Sequence, residues 1–308
     1  DHADQMNDLL DHPATVSVVI PAYGHCPHLP DVIAAIYEGR FLPLEVLVSH
    51  SGPDDPSEAL KARFSELSVI DDDGRLLGGA ARNRGAAVAR GDILAFCDAD
   101  TLPAADWLAE LIAGYQSGPQ QFVVGAVAME RRGGYWGMAN WLLEFSEQAP
   151  WRPRGEQVGG ASCNMAVRAE DFSAAGGFRE DIQPGEDTTL FADLRASGLM
   201  QVFLPKAMVG HFNNPGFAAF VRHQKGLGAA FAEVRKSRDM AGSFVVRFAP
   251  LALLLCAPKA FLVLRRALFS GLQPALFALF LSPGIVLGSL IWCFACYRRA
   301  AGLRYEDG

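Results

Sequence analysis

Short β-branched apolar runs alternate with helix-spaced apolar residues through the front of the chain. Residues 15–23 (TVSVVIPAY) and 44–50 (LEVLVSH) are nearly unbroken apolar runs, as expected of strands buried on both faces. Between them, Leu29, Val32, Ile33, Ile36 and Tyr37 recur at helical spacing. The pattern continues with a helix over 56–67 (PSEALKARFSEL) and a short strand over 67–71 (LSVID). A helix with a small-residue face (GGAARNRGAAVAR, 78–90) and a strand (GDILAFCD, 91–98) follow. This β-α-β-α-β-α-β order predicts an α/β fold on a mostly parallel sheet with right-handed crossovers. In such sheets ligands collect beyond the carboxyl ends of the strands.

The pattern changes near the other end. Residues 267–297 hold no charged side chain over 31 positions, and about 20 apolar residues suffice to cross a bilayer. A transmembrane helix is the expectation there, against the alternative of a core helix in a soluble protein. The stretch 248–264 is shorter and carries Pro250, Pro258 and Lys259, so spanning the membrane and lying in its interface both remain open. Ahead of it, 216–238 is amphipathic, with His223 among basic residues that suit lipid headgroups or an anionic acceptor. The expected organisation is an N-terminal tail (1–14), a catalytic domain (15–212), an interfacial helical segment (213–242) and a membrane region (243–308) with one or two transmembrane helices.

Charge refines this picture. Residues 243–308 carry a net +5 and residues 1–242 a net −12, an acidic front half that argues against nucleic acid as a partner. Arg235, Lys236, Arg238 and Arg247 precede the apolar region and Arg298, Arg299 and Arg304 follow it, against Arg265 and Arg266 between its two stretches. By the positive-inside tendency both ends of a hairpin face the cytosol, and the acidic N-terminus shows no signal-peptide core. The six cysteines form neither a zinc-like double pair nor a small disulfide framework, which suits reduced thiols. The Cys293/Cys296 pair lies in the apolar run and reads as packed or lipid-facing thiols rather than a redox motif.

The strand at 91–98 ends in DAD, placing Asp98 and Asp100 at a carboxyl end of the expected sheet. Neighbouring acids stay ionised only with compensation, and a divalent metal supplies it, sharing carboxylates with substrate phosphates. The competing reading of DADTLP is a helix start, capped by Asp100 or Thr101 with Pro103 in the first turn.

Four stretches in order favour the first reading: VSVVIPAYG, GGAARNRGAAVARGDILAFCDAD, GGASCNMAVRAEDFSAAGGF and GEDTTLFADLRASG. Over about residues 15–212 the chain resembles the GT-A nucleotide-sugar glycosyltransferases of glycosyltransferase family 2. The resemblance implies a GT-A, Rossmann-like domain followed by membrane helices. It implies that Pro21, Ala22 and Tyr23 border the donor's base and that Arg82 contacts its nucleotide. Asp98 would reach the ribose or the metal's water shell, and Asp100 would bind the metal, Mn²⁺ or Mg²⁺. Cys163 and Asn164 lie in the acceptor-side segment. Asp187 would be the catalytic base with Glu186 orienting it or the acceptor; locally, GEDTT also reads as acids at a helix N-terminus. His211 would be a further metal ligand, or a hydrogen-bonded histidine at a strand end.

Two departures stand out. EVLVSHSGPDD puts His50 where the family's base-contacting aspartate would be, and no QxxRW motif follows, which weighs against a processive polysaccharide synthase. The implied activity is metal-dependent, inverting transfer of one sugar from a nucleotide-diphosphate sugar to a hydroxyl or phosphate acceptor. Membrane anchoring adds a lipid-linked acceptor, membrane lipid as partner, and a location at an inner or cell membrane with the catalytic domain facing the cytosol. The alternative is a catalytically silent GT-A domain that binds nucleotide or partners in a membrane assembly. Nucleotidyl transfer lacks its glycine-rich, lysine-bearing phosphate loop after the first strand.

Overall fold

The computed structural model describes residues 14–303 except 73, 117 and 119. The expected tail, apart from Ala14, and Arg304 lie outside the described residues. Among the described residues, nine strands form one sheet. Its parallel half is β1 (Val16–Tyr23), β2 (Glu45–Ser51), β3 (Ser68–Asp72) and β4 (Ile93–Cys97), in the order β3-β2-β1-β4. The joining helices are α1 (Leu29–Tyr37), α2 (Ser57–Arg63) and α3 (Gly78–Val88). Leu29, Val32, Ile33 and Ile36, read from spacing, form the buried face of α1. The small-residue face of α3 has a steric cause: a Cβ at Gly85 would come within 2.5 Å of Val19 Cγ1, so a larger side chain would push the helix off β1.

The rest of the sheet is antiparallel. β8 (Asn164–Arg168) pairs antiparallel with both β4 and β6 (Gln121–Arg131), while β5 (Thr101–Pro103) and β7 (Gly155–Glu156) pair antiparallel with β9 (Met200–Phe212). The sheet is therefore mixed. Antiparallel strands need no crossover helix, and β5 and β7 are too short to show a period-two pattern in sequence. α4 (Trp107–Gln116), α6 (Ala169–Ala174) and α7 (Glu186–Ala196) complete this part, with Phe96, Phe122, Phe172, Phe178, Phe191 and Phe203 in its core.

Two compact units emerge, the first from described residues up to 128 together with 153–211, the second from 129–152 and 212 onward. The second differs from the expected boundary by including α5 (Gly134–Phe145). Tyr135 and Ala139 of α5 pack on Gly284 of α11 (Leu272–Ala300), whose N–H donates to Tyr135 Oη at 2.9 Å. The second unit also contains α8 (Phe217–Ser237), α9 (Ser243–Arg247), a 3₁₀ turn (Ala249–Leu255) and α10 (Cys256–Leu268). Among the described residues α11 alone, with a mean hydropathy of 2.1 over its most apolar window, is long and apolar enough to cross a membrane. Residues 248–264 break into the 3₁₀ turn and the 13-residue α10, which is shorter than a span requires.

Candidate active site

The carboxyl ends of β1 to β4 carry Tyr23, His50, Asp71 and Asp98, as the parallel topology requires. The DAD segment is a turn between two strands. Thr101, fully buried, receives the Asp98 N–H at 2.9 Å on its hydroxyl oxygen and donates that hydroxyl to the Asp98 carbonyl, also at 2.9 Å. Pro103 lies in β5, so the helix-cap reading does not hold. Register pairs Thr101 with His211 of β9, which leaves His211 Nε2 3.8 Å from Asp100 Oδ2. Asp100 is half exposed and His211 mostly covered.

Arg82 organises the carboxylates. It enters from α3, is 6% exposed, and donates through Nη2 to Asp98 Oδ1 at 2.6 Å and through Nη1 to Glu186 Oε1 at 3.1 Å. Burial alone would lower its pKa; Asp98 and Glu186 instead carry it above the ordinary arginine value. Arg82 Nε and Glu186 Oε2 have no hydrogen-bond partner in the protein. The first turn of α7 sets Asp187 beside Glu186, and Gln183 ties the approach to α7 to the start of α3 by accepting the Gly78 N–H at 2.8 Å. Asp187 Oδ1 accepts the Thr188 N–H at 2.7 Å. Burial, and then the Glu186 charge, push the Asp187 carboxyl up to about 7, against the pull of Arg82 and of the Thr188 and Ser162 backbone.

Asp100 and His211 fit a divalent cation. A carboxylate and an imidazole with donor atoms 3.8 Å apart can share one ion, and a mixed oxygen and nitrogen set suits Mn²⁺ better than Mg²⁺. Asp98 is engaged by Arg82. His50, Asp55 and Asp71 form a second group, with one donor atom each within 4.8 Å of one another.

His50 differs from expectation. It is fully buried, with Nδ1 2.6 Å from Asp71 Oδ1 and Nε2 3.2 Å from the Gly24 carbonyl, so neither ring nitrogen is left to receive a base. The Asp71 side chain is 30% exposed at the same end of the sheet. It was not among the candidates read from sequence, although the acidic pair Asp71 and Asp72 that closes β3 was a signal. Pro21 is partly covered and Ala22 buried; the half-exposed Tyr23 ring lies against Gly52 with the Arg75 guanidinium 5.3 Å from its centroid. Asn164 corrects the acceptor-side expectation. It is fully buried, accepts the Trp107 indole N–H at 2.8 Å and donates to the Ala126 and Ala207 carbonyls, so it braces the sheet. Cys163 is 4% exposed beside it.

Known proteins bear on this geometry. The chain is 32% identical over 99 residues to "Glycosyltransferase AglE" of Haloferax volcanii, covering 30% of this chain and 33% of that protein. It is 25% identical over 203 residues to "Pre-mycofactocin glycosyltransferase" of Mycobacterium tuberculosis, covering 64% and 42%. The matches thus span less than half of either relative. Among solved structures, the mannosyltransferase PcManGT of Pyrobaculum calidifontis, in complex with GDP-Man and Mn²⁺, shares the GT-A fold. It aligns at TM-score 0.59 and 22% identity over 97% of this chain and 93% of that one. The family described as Glycosyl transferase family 2 matches residues 17–175, more than half of the sequence, and the chain belongs to that family.

Proposed function

We propose that the protein is a membrane-associated, metal-dependent, inverting glycosyltransferase that moves one sugar from a nucleoside-diphosphate sugar to a hydroxyl or phosphate acceptor. The observation that carries this reading is the convergence of Asp98 and Glu186 on buried Arg82, with Asp187 next in the chain held near neutrality. Asp187 takes the proton of an acceptor hydroxyl as its oxygen bonds to the anomeric carbon, and the bond to the nucleoside diphosphate breaks. Glu186, one oxygen fixed by Arg82 and the other buried without a hydrogen-bond partner in the protein, would orient Asp187 or the acceptor. A divalent cation held by Asp100 and His211 would neutralise the charge on the leaving diphosphate.

On the donor side, Tyr23 and Asp71 border the base, and Asp71, oriented by His50, accepts its N–H groups. PcManGT, which holds GDP-Man with Mn²⁺, supports a donor and metal of these classes. The apolar α11 supports attachment to a membrane, with the catalytic unit on the cytosolic side where nucleotide sugars are made and a lipid-linked acceptor within reach. A silent nucleotide-binding domain would have no use for a base near neutrality. The test is calorimetry of GDP- and UDP-sugars with and without Mn²⁺. One nucleotide class should bind at least about tenfold more tightly with Mn²⁺, and Asp100→Asn should abolish that gain, since it removes the charge on one of two ligands. Binding indifferent to Mn²⁺ in both proteins would refute the metal site.

A further inference from the structure

The second unit contains a cavity of about 290 Å³ with none of the residues assigned to catalysis. Its lining includes Arg235, Lys236, Arg238 and Arg247, with Asp239 the one carboxylate and Ala300, the last residue of α11, on its wall. The volume is near the lower end of the roughly 300–1,000 Å³ of small-molecule sites.

Two of the cations, Arg235 and Lys236, are held in place. Arg235 Nε donates to the Ala241 carbonyl at 2.7 Å and its guanidinium stacks 3.4 Å from the Phe231 ring centroid. Burial pushes Arg235 down to about 10, still charged but short of solvation, so an anion gains there. Lys236 Nζ donates to the Arg299 carbonyl at 2.6 Å, offsetting the negative end of the α11 dipole. Asp239 is 83% exposed and 3.6 Å from Arg247, too solvated to neutralise the group.

Exposed apolar side chains of the same unit point to the class of anion. Phe244 and Phe248, on either side of Arg247, are 64% and 56% exposed with ring centroids 5.1 Å apart. Leu254, Leu276, Phe280, Leu290 and Phe294 are more than half exposed in the same unit. Cations in a recess beside exposed aromatic rings, at the end of an apolar helix long enough to span, match the boundary between headgroups and acyl chains. We propose that this cavity binds the phosphate headgroup of an anionic phospholipid and fixes the depth at which the chain sits in the bilayer. The site needs the membrane reading of α11 and is independent of donor chemistry.

The test uses the full chain purified in dodecyl maltoside, titrated with dioleoylphosphatidylglycerol, dioleoylphosphatidylcholine or inorganic phosphate. Bound lipid is counted by native mass spectrometry, and the unfolding midpoint and GDP- and UDP-sugar binding are followed in the same samples. Phosphatidylglycerol should bind at least about tenfold more tightly than phosphatidylcholine and raise the midpoint, and inorganic phosphate should do neither. At about fivefold per cation removed, Arg238→Gln with Arg247→Gln should weaken phosphatidylglycerol binding about thirtyfold and leave donor binding unchanged. Arg238→Lys with Arg247→Lys should keep it within a few fold. Equal binding of both lipids, a midpoint shift reproduced by inorganic phosphate, or full binding by the glutamine pair overturns the site. If the glutamine pair does not fold, the wild-type comparison of the two lipids decides.

Discussion

Replacing Asp187 with Asn tests the catalytic reading and its electrostatics together. Burial and the Glu186 charge push the wild-type carboxyl up to about 7. Its value to catalysis is the ability to take a proton, worth about a hundredfold to ten-thousandfold in rate, and Asn keeps the shape and loses that ability. Turnover on a hydroxyl acceptor should fall at least about a hundredfold, with nucleotide-sugar affinity within a few fold. Wild-type kcat/KM should fall about tenfold per pH unit well below 7 as the base protonates, and the variant's residual rate should be flat there. Stability moves the other way. An acid whose pKa is higher folded than unfolded binds its proton more tightly in the native state. Its stabilising contribution is complete below the unfolded value and is lost as pH rises through the folded one. The rise from an ordinary 3.8 to about 7 sets a ceiling of about 4 kcal/mol, and partial exposure reduces the expected effect to about 1–2 kcal/mol. Asp187→Asn should therefore be more stable than wild type at pH 8 in urea unfolding, the gap closing by pH 4. Near-normal turnover on a hydroxyl acceptor, or a wild-type rate flat from pH 5 to 8, would remove Asp187 from the base role and return GEDTT to a helix start.

Two further predictions concern the donor and the fold. Asp71→Asn exchanges an acceptor for a donor beside His50, so the preferred nucleotide should bind about tenfold more weakly in calorimetry and selectivity between guanine and uracil nucleotides should shrink; unchanged selectivity would mean that Asp71 does not read the base. Gly85→Ala drives a methyl to 2.5 Å from Val19, and the strain should outweigh the about 1 kcal/mol gain in helix propensity, for a net loss of about 1–2 kcal/mol in urea unfolding; equal or higher stability would show that α3 can shift away from β1 without cost.

Sequence was most informative where one element answers to one neighbour. The apolar runs of β1, β2 and β4 mark strands covered on both faces, and α1 shows its buried stripe directly. The antiparallel half was opaque because β5 and β7 span three and two residues and β9 carries Pro205 and Lys206 within an otherwise apolar run. Nothing in the sequence of residues 134–145 says that Gly284 rather than the sheet receives Tyr135 and Ala139. In the site, Arg82, Asp98 and Glu186 were readable as separate motifs, and their meeting was not, since a buried arginine and a surface one look alike in sequence. Exposure and side-chain direction decide roles, which is why His50 turned out to be the support and Asp71 the exposed group.

The carboxylates at this end of the sheet also explain one another. Arg82 is one cation, and Asp98 and Glu186 occupy both of its terminal nitrogens. Asp187 is then left beside Glu186 with only indirect help from that charge, and holding a proton near neutrality is how the group relieves the repulsion. Asp100 has His211 at 3.8 Å, a neighbour that would become a partner if a cation sat between them, as proposed. On the proposed mechanism, three modes of compensation divide the acids by task. The pair neutralised by arginine would position, the one pushed toward neutrality would exchange a proton, and the one beside His211 would hold the metal. Moving the arginine would disturb Asp98, Glu186 and Asp187 together, whereas Asp187→Asn and Asp100→Asn each remove a single mode, so the two substitutions should act on turnover and on Mn²⁺-dependent donor binding separately.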